Sequence, residues 1–158
     1  DASVFSTNFS IFRRHRISRI GGGVLIAVDA ALSSEMIQFS STQEIEFVGV
    51  KVNFKSFNAF ITCSYIPPLS DMVVYLNHLE AIQFVSSLVS SQDMLIVVGD
   101  LNLPALAWSP TDECTMLLPS MSHDFIDGLL SLSLSQVNPV LNSNGKSLDL
   151  IFVLIFLL

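Results

Sequence analysis

The chain has 158 residues, 51% hydrophobic and 13% charged, with 7 Lys and Arg against 14 Asp and Glu for a formal net charge of −7. That size and apolar content suit one folded domain with a sizeable core, and exclude a disordered chain. The acidic balance excludes a diffuse, charge-driven grip on nucleic acid, because phosphate neutralisation needs clustered cations.

Charge is unevenly spread. Arg13, Arg14, Arg16 and Arg19 are all the arginines, and they fall in one short stretch. It reads as a solvated loop that could touch phosphates. Gly21-Gly22-Gly23 then breaks the chain before Val24 to Val28, an apolar run of strand length. From Glu46 to Phe54, Val48, Val50, Val52 and Phe54 alternate with Gly49, Lys51 and Asn53, which predicts a strand. Asn58 to Tyr65 continues after a turn at Lys55 and Ser56 and stops at Pro67-Pro68, so the two runs read as an antiparallel pair. Ser70 or Asp71 can cap a helix carrying Met72, Leu76, Leu79, Ile82, Val85 and Val89 at helical spacing. His78 on that helix, and His123 beside the next helix cap, are expected on the surface.

Met94 to Val98 is a continuous apolar run, as in a strand buried on both faces. A second helix is predicted from a cap at Ser122 through Phe125, Ile126, Leu129 and Leu130. An Asn142 to Gly145 turn precedes a strand over Leu148 to Leu154. No internal repeat appears, and strands alternate irregularly with helices, so the expectation is one α+β sandwich domain over 1–158. Cys63 and Cys114 have no CxxC spacing, which favours free thiols and an intracellular setting, nuclear or cytoplasmic. The start lacks a signal pattern, and the apolar Leu150 to Leu158 run is too short for the roughly 20 residues of a membrane span. It reads as a buried strand with no membrane role.

The sharpest chemical signal is Val97-Val98-Gly99-Asp100-Leu101-Asn102-Leu103-Pro104, where an apolar strand delivers Asp100 and Asn102 to a loop at its carboxyl end. Two positions apart in an extended segment, a carboxylate and an amide would point the same way. That pair suits phosphodiester hydrolysis: the carboxylate can accept a proton from water or hold a metal, and the amide can donate to a phosphoryl oxygen. The plain alternative is a turn closed by an Asx hydrogen bond.

An ordered series surrounds this signal: Phe12-Arg13-Arg14-His15-Arg16, Gly21 to Val28, Ser64-Tyr65-Ile66-Pro67-Pro68, Gly99 to Pro104 with Trp108, Ser135-Gln136-Val137-Asn138, and Ser147-Leu148-Asp149-Leu150-Ile151. In order and interval it resembles the endonuclease/exonuclease/phosphatase (DNase I-like) superfamily, and within it the non-LTR retrotransposon endonucleases. The resemblance implies a four-layer α/β/β/α sandwich of two packed β-sheets flanked by helices. It implies Mg²⁺-assisted phosphodiester cleavage, with DNA as partner and a nick that primes a reverse transcriptase carried elsewhere in the ancestral protein. By the same resemblance Asp100 orients or deprotonates the attacking water, Asn102 supports the phosphate, and the two stand on the metal side. Tyr65 contacts the scissile phosphate, and Asp149 orients the catalytic histidine. An Asp inside so apolar a run would also be costly to bury without a partner.

The departures bear on activity. The family's strand with its Asn and its metal-binding Glu are expected before Asp1, and its Asp-His pair after the strand of Asp149. Neither occurs in these 158 residues. His15, His78 and His123 all precede Asp149 and cannot replace that histidine by order. The expectation is thus a domain incomplete at both ends with impaired nicking. The alternatives are an inactive remnant of the same fold, or a phosphatase of the superfamily acting on a small phosphoester. The Leu103-Pro104, Trp108 and Gln136-Val137 continuations favour the retrotransposon branch.

Overall fold

Arg13 and Arg14, expected in a loop, lie in a strand. β1, Phe9–His15, pairs antiparallel with β2, Gly23–Asp29, from Phe9 opposite Asp29 to His15 opposite Gly23. A computed structural model describes residues 7–16, 22–40, 44–103, 106–108, 114–116, 120–141, 143 and 149–155. Phe12 packs on the core, and the two-residue period puts Arg14 on the same side of β1. The hairpin closes tightly: Gly23 has φ +120°, and a Cβ there would overlap the Arg14 carbonyl oxygen.

β3 (Ser33–Met36), β4 (Glu46–Asn53) and β5 (Asn58–Tyr65) follow as an antiparallel meander. Its expected turn is closed by the Phe54 N–H donating to the Phe57 carbonyl at 3.0 Å. α1, Met72–Ser86, is capped by Asp71, whose carboxylate accepts from the Val74 N–H at 3.1 Å. Then come β6 (Met94–Asp100), a small hairpin of β7 (Leu106–Trp108) and β8 (Cys114–Met116), α2 (Ser120–Ser131), β9 (Ser135–Gln136) and β10 (Asp149–Ile155). The main sheet has the order β3-β4-β5-β6-β10-β9, with β5 and β6 parallel and the other pairs antiparallel.

Helices cover one face of this sheet and the hairpin covers the other at β4 and β5, while Met94, Ile96 and Val98 of β6, a strand expected to be buried on both faces, are only half-buried. Phe47, Phe60, Leu95, Val97, Leu150 and Phe152 pack with α1 and α2 on one side. Val48, Val50, Val52 and Ala59 pack against Val24 and Val28 of the hairpin on the other. Among the described residues the layers are therefore helices, six-stranded sheet and two-stranded sheet, an α+β sandwich with three of the four expected layers. The strands read from sequence at 24–28, 46–54, 58–65, 94–98 and 148–154 are all present within a residue or two. Cys63 is a free, half-buried thiol whose pKa burial pushes up. No described helix is long and apolar enough to cross a membrane.

The helices differ in detail from expectation. In α1 the buried stripe runs through Tyr75, His78, Leu79, Ile82 and Val85, while Leu76 is 44% exposed. At roughly 100° per residue, Leu76 falls on the side opposite that stripe. α2 starts at Ser120, ahead of the anticipated cap at Ser122. The 142–145 turn, apart from Ser143, and Phe156 to Leu158 lie outside the described residues.

His78 is buried, not a surface residue, with 1% exposure and an Nδ1 that has no hydrogen-bond partner among the described residues. Burial holds its pKa down to about 4 from the ordinary 6.5, so the folded chain keeps a neutral imidazole. A depressed folded pKa means that stability is intact above pH 6.5 and falls as pH drops towards 4, by about 3 kcal/mol in all. Urea unfolding at pH 7 and pH 4.5 should show His78→Gln losing less stability across that interval than the parent chain. Equal losses in the two proteins would refute it.

Candidate active site

Register positions the chemistry. Tyr65 at the end of β5 stands opposite Asp100 at the end of β6, and Asp149 at the start of β10 stands opposite Asp100 from the other side. Glu46, the first residue of β4, stands opposite Tyr65. One row across four strands thus reads Glu46, Tyr65, Asp100, Asp149, and cross-strand partners share a face. The close approach of β5 and β6 at this edge requires Gly99, since a Cβ there would overlap the Ser64 carbonyl oxygen. The pairing continues one step further, with the Ile66 N–H donating to the Asp100 carbonyl at 2.9 Å.

Asn102 arrives differently from its sequence spacing. Its φ is +47°, so the chain turns left-handed after Asp100 and is not extended. Its N–H donates to Asp100 Oδ1 at 3.1 Å, the Asx turn of the plain reading. Its side-chain Nδ2 donates to the Ile66 carbonyl at 2.7 Å and ties the end of β6 to the end of β5. One amide N–H is therefore spent on the scaffold. The Tyr75 hydroxyl supports the same turn from α1, donating to the Asn102 carbonyl at 3.1 Å and the Leu101 carbonyl at 3.3 Å. Its pKa is raised, first by burial and then by the charge of Asp100.

The two carboxylates are unequal. Burial raises the Asp100 pKa, the Asn102 backbone hydrogen bond pulls it back, and the nearby charge of Asp149 raises it again. Asp149 is exposed, and its carbonyl accepts from Asn138 Nδ2 at 2.6 Å. A hard cation takes such carboxylate oxygens and would relieve their mutual repulsion. Among the described residues, no group of three or more His, Cys, Asp or Glu side chains converges for a metal.

Sequence reasoning missed the support of Tyr65. Arg16 clamps Glu46 with both ends of its fork, Nε to Oε1 at 2.6 Å and Nη2 to Oε2 at 3.2 Å. Its guanidinium then lies 5.3 Å from the centroid of the Tyr65 ring. Glu46 holds the Arg16 pKa above its ordinary value. Beside Tyr65 opens a cavity of about 510 Å³ bounded by the ends of β1, β4 and β5 and by α1.

No family model and no curated protein sequence matches the chain. Solved structures do. The endonuclease domain of TRAS1, a telomere-specific non-LTR retrotransposon, superposes with a TM-score of 0.64 at 17% identity, over 92% of this chain and 66% of that one. The chain has the DNase I-like fold. Within that fold, the human Nocturnin catalytic domain with bound sulfate matches at TM-score 0.56 and 15% identity, over 92% of this chain and 60% of its own. D. rerio TDP2 complexed with single-strand DNA product matches at 0.54 and 13%, over 96% and 64%. The chain thus spans 60–66% of the length of these DNase I-like structures.

Two consequences of this geometry are measurable. Gly99→Ala forces β5 and β6 apart at the site and should cost about 1–3 kcal/mol in urea unfolding; an unchanged midpoint would show that the strand pair has room for a methyl group. Asp100, with its pKa raised on folding, opposes stability at neutral pH and ceases to do so once protonated below the ordinary carboxylate range. Asp100→Asn should therefore raise Tm at pH 7 and leave it unchanged in acid. A lowered Tm at pH 7 would mean that the carboxylate stabilises the turn.

Proposed function

We propose that the row of Tyr65, Asp100 and Asp149, with Asn102 turned against it, is the centre of a metal-dependent phosphodiester hydrolase that nicks DNA. The observation that carries this reading is the in-register meeting of the three strand ends in a DNase I-like fold. Burial makes Asp100 a better proton acceptor than a free carboxylate, which suits it to orient and deprotonate a water facing phosphorus. The Tyr65 hydroxyl donates to a non-bridging phosphoryl oxygen, on a ring fixed by Arg16. Asn102 keeps Asp100 oriented through its N–H, and Asp149 adds negative charge on the far side.

Mg²⁺, held by oxygens of Asp100 and Asn102, would supply positive charge for the phosphoryl group. The retrotransposon endonuclease and the DNA-product complex among the structural neighbours support DNA as the substrate. A nick made this way leaves a primer end for a reverse transcriptase, and an intracellular, nuclear setting follows from that role.

A second reading, a remnant that binds metal and DNA without efficient turnover, is favoured by the absence of a three-ligand group among the described residues. Two measurements on the 158-residue chain test both. Mn²⁺ should broaden the amide resonances of Gly99 to Asn102 and of Asp149, and Asp100→Ala should remove that broadening. Supercoiled plasmid with Mg²⁺ should be nicked at trace level, with the trace lost in Asp100→Ala. Rapid nicking lost in that variant would establish the active enzyme over the remnant. Absence of metal-induced broadening, or nicking that survives the substitution, would overturn the site.

A further inference from the structure

We infer that the cavity beside Tyr65 is a subsite for one nucleotide unit of the strand being cleaved, with Arg14 as its phosphate contact. This rests on the phosphodiesterase reading and extends it from the bond broken to the group next to it. The cavity, about 510 Å³, falls in the range of roughly 300–1,000 Å³ typical of small-molecule sites. It shares Tyr65 with the reactive row, so a strand whose phosphate reaches that hydroxyl continues into the cavity without a break.

The lining has the mixed chemistry of a nucleotide. Arg14 and Arg16 bring two cations to a chain whose net charge is −7. Arg16 is committed to Glu46. Arg14 is exposed, its guanidinium has no hydrogen-bond or ion-pair partner among the described residues, and it lies on the side of β1 that faces the sheet. It is the guanidinium available to fork onto a phosphate. Glu44, also exposed, offers an acceptor for a sugar hydroxyl or an exocyclic amine. Pro67, Pro68 and Val74 form an apolar wall, rigid at the two prolines, against which a sugar or base can lie with little loss of side-chain entropy. An anion site alone would need neither the acceptor nor the apolar wall.

The experiment is an amide chemical-shift titration of the chain in EDTA with thymidine 5′-phosphate, inorganic phosphate and thymidine in parallel arms. Excluding metal separates this result from the metal-binding test of the reactive row. Saturable shifts are expected at Arg14, Ile45 and Val74, with half-saturation by the nucleotide at least about tenfold below that of either fragment. Arg14→Gln should weaken nucleotide binding about tenfold. Val74→Phe, which narrows the cavity and removes no charge, should weaken it too, and Lys55→Gln, an exposed cation in the turn at the other end of the β4–β5 pair, should leave it within about twofold. Phosphate binding as tightly as the nucleotide would reduce the cavity to an anion site and overturn the inference. So would shifts confined to Gly99–Asn102, full affinity in Arg14→Gln, or no saturable shift at all.

Discussion

The parallel pairing of β5 with β6 sets Tyr65 against Asp100, and the surrounding structure is arranged to make that pairing possible. Parallel neighbours cannot be joined by a tight turn and need a crossover. α1 is that crossover, and its buried stripe seals one face of the strands it connects. Two parallel strands end at the same edge, whereas the antiparallel β10 begins there, so a tyrosine, an aspartate and a second aspartate are delivered by chain direction alone.

That edge is held against its own preferences. Asp100 is a partly buried carboxylate with another carboxylate beside it, Asn102 is left-handed, and the hydroxyls of Thr62 and Ser64 on β5 are buried without hydrogen-bond partners among the described residues. The two unpaired hydroxyls each oppose folding by about a kilocalorie per mole or more, and the charge of Asp100 acts in the same direction. The restoring force is apolar. Val50, Leu95, Val97 and Phe152 are fully buried on the two faces of the sheet, where truncation of a large side chain costs about 2–5 kcal/mol. The cores on both sides hold in place an arrangement that the edge would not adopt alone.

Local signals carried much of the architecture. Alternation in β4, the apolar run of β6, the double proline after β5 and the Asp71 cap are each written in a few adjacent residues, and each is where the sequence put it. β1 was illegible because its arginines resemble a solvated loop, and only pairing with β2 makes a strand of it. β3, β7, β8 and β9 are two to four residues long, too short to show a period. In α1 the apolar spacing places Leu79, Ile82 and Val85 correctly in the buried stripe but also includes the exposed Leu76 and passes over Tyr75 and His78. Arg16 and Glu46 are 30 residues apart, and nothing near either residue announces the other. At the site, spacing placed Asp100 and Asn102 together correctly but assumed an extended chain between them, which the positive φ of Asn102 contradicts.

That φ of +47° at Asn102 constrains what this position can become. Only glycine, asparagine and aspartate enter the left-handed region at low cost, so most exchanges at 102 strain the backbone whether or not the chain still cleaves anything. Asp149, exposed at the start of its strand, carries no such conformational penalty. In copies of this domain released from selection on catalysis, erosion should therefore reach Asp149 first, while 102 stays within its small set for as long as the protein is required to fold.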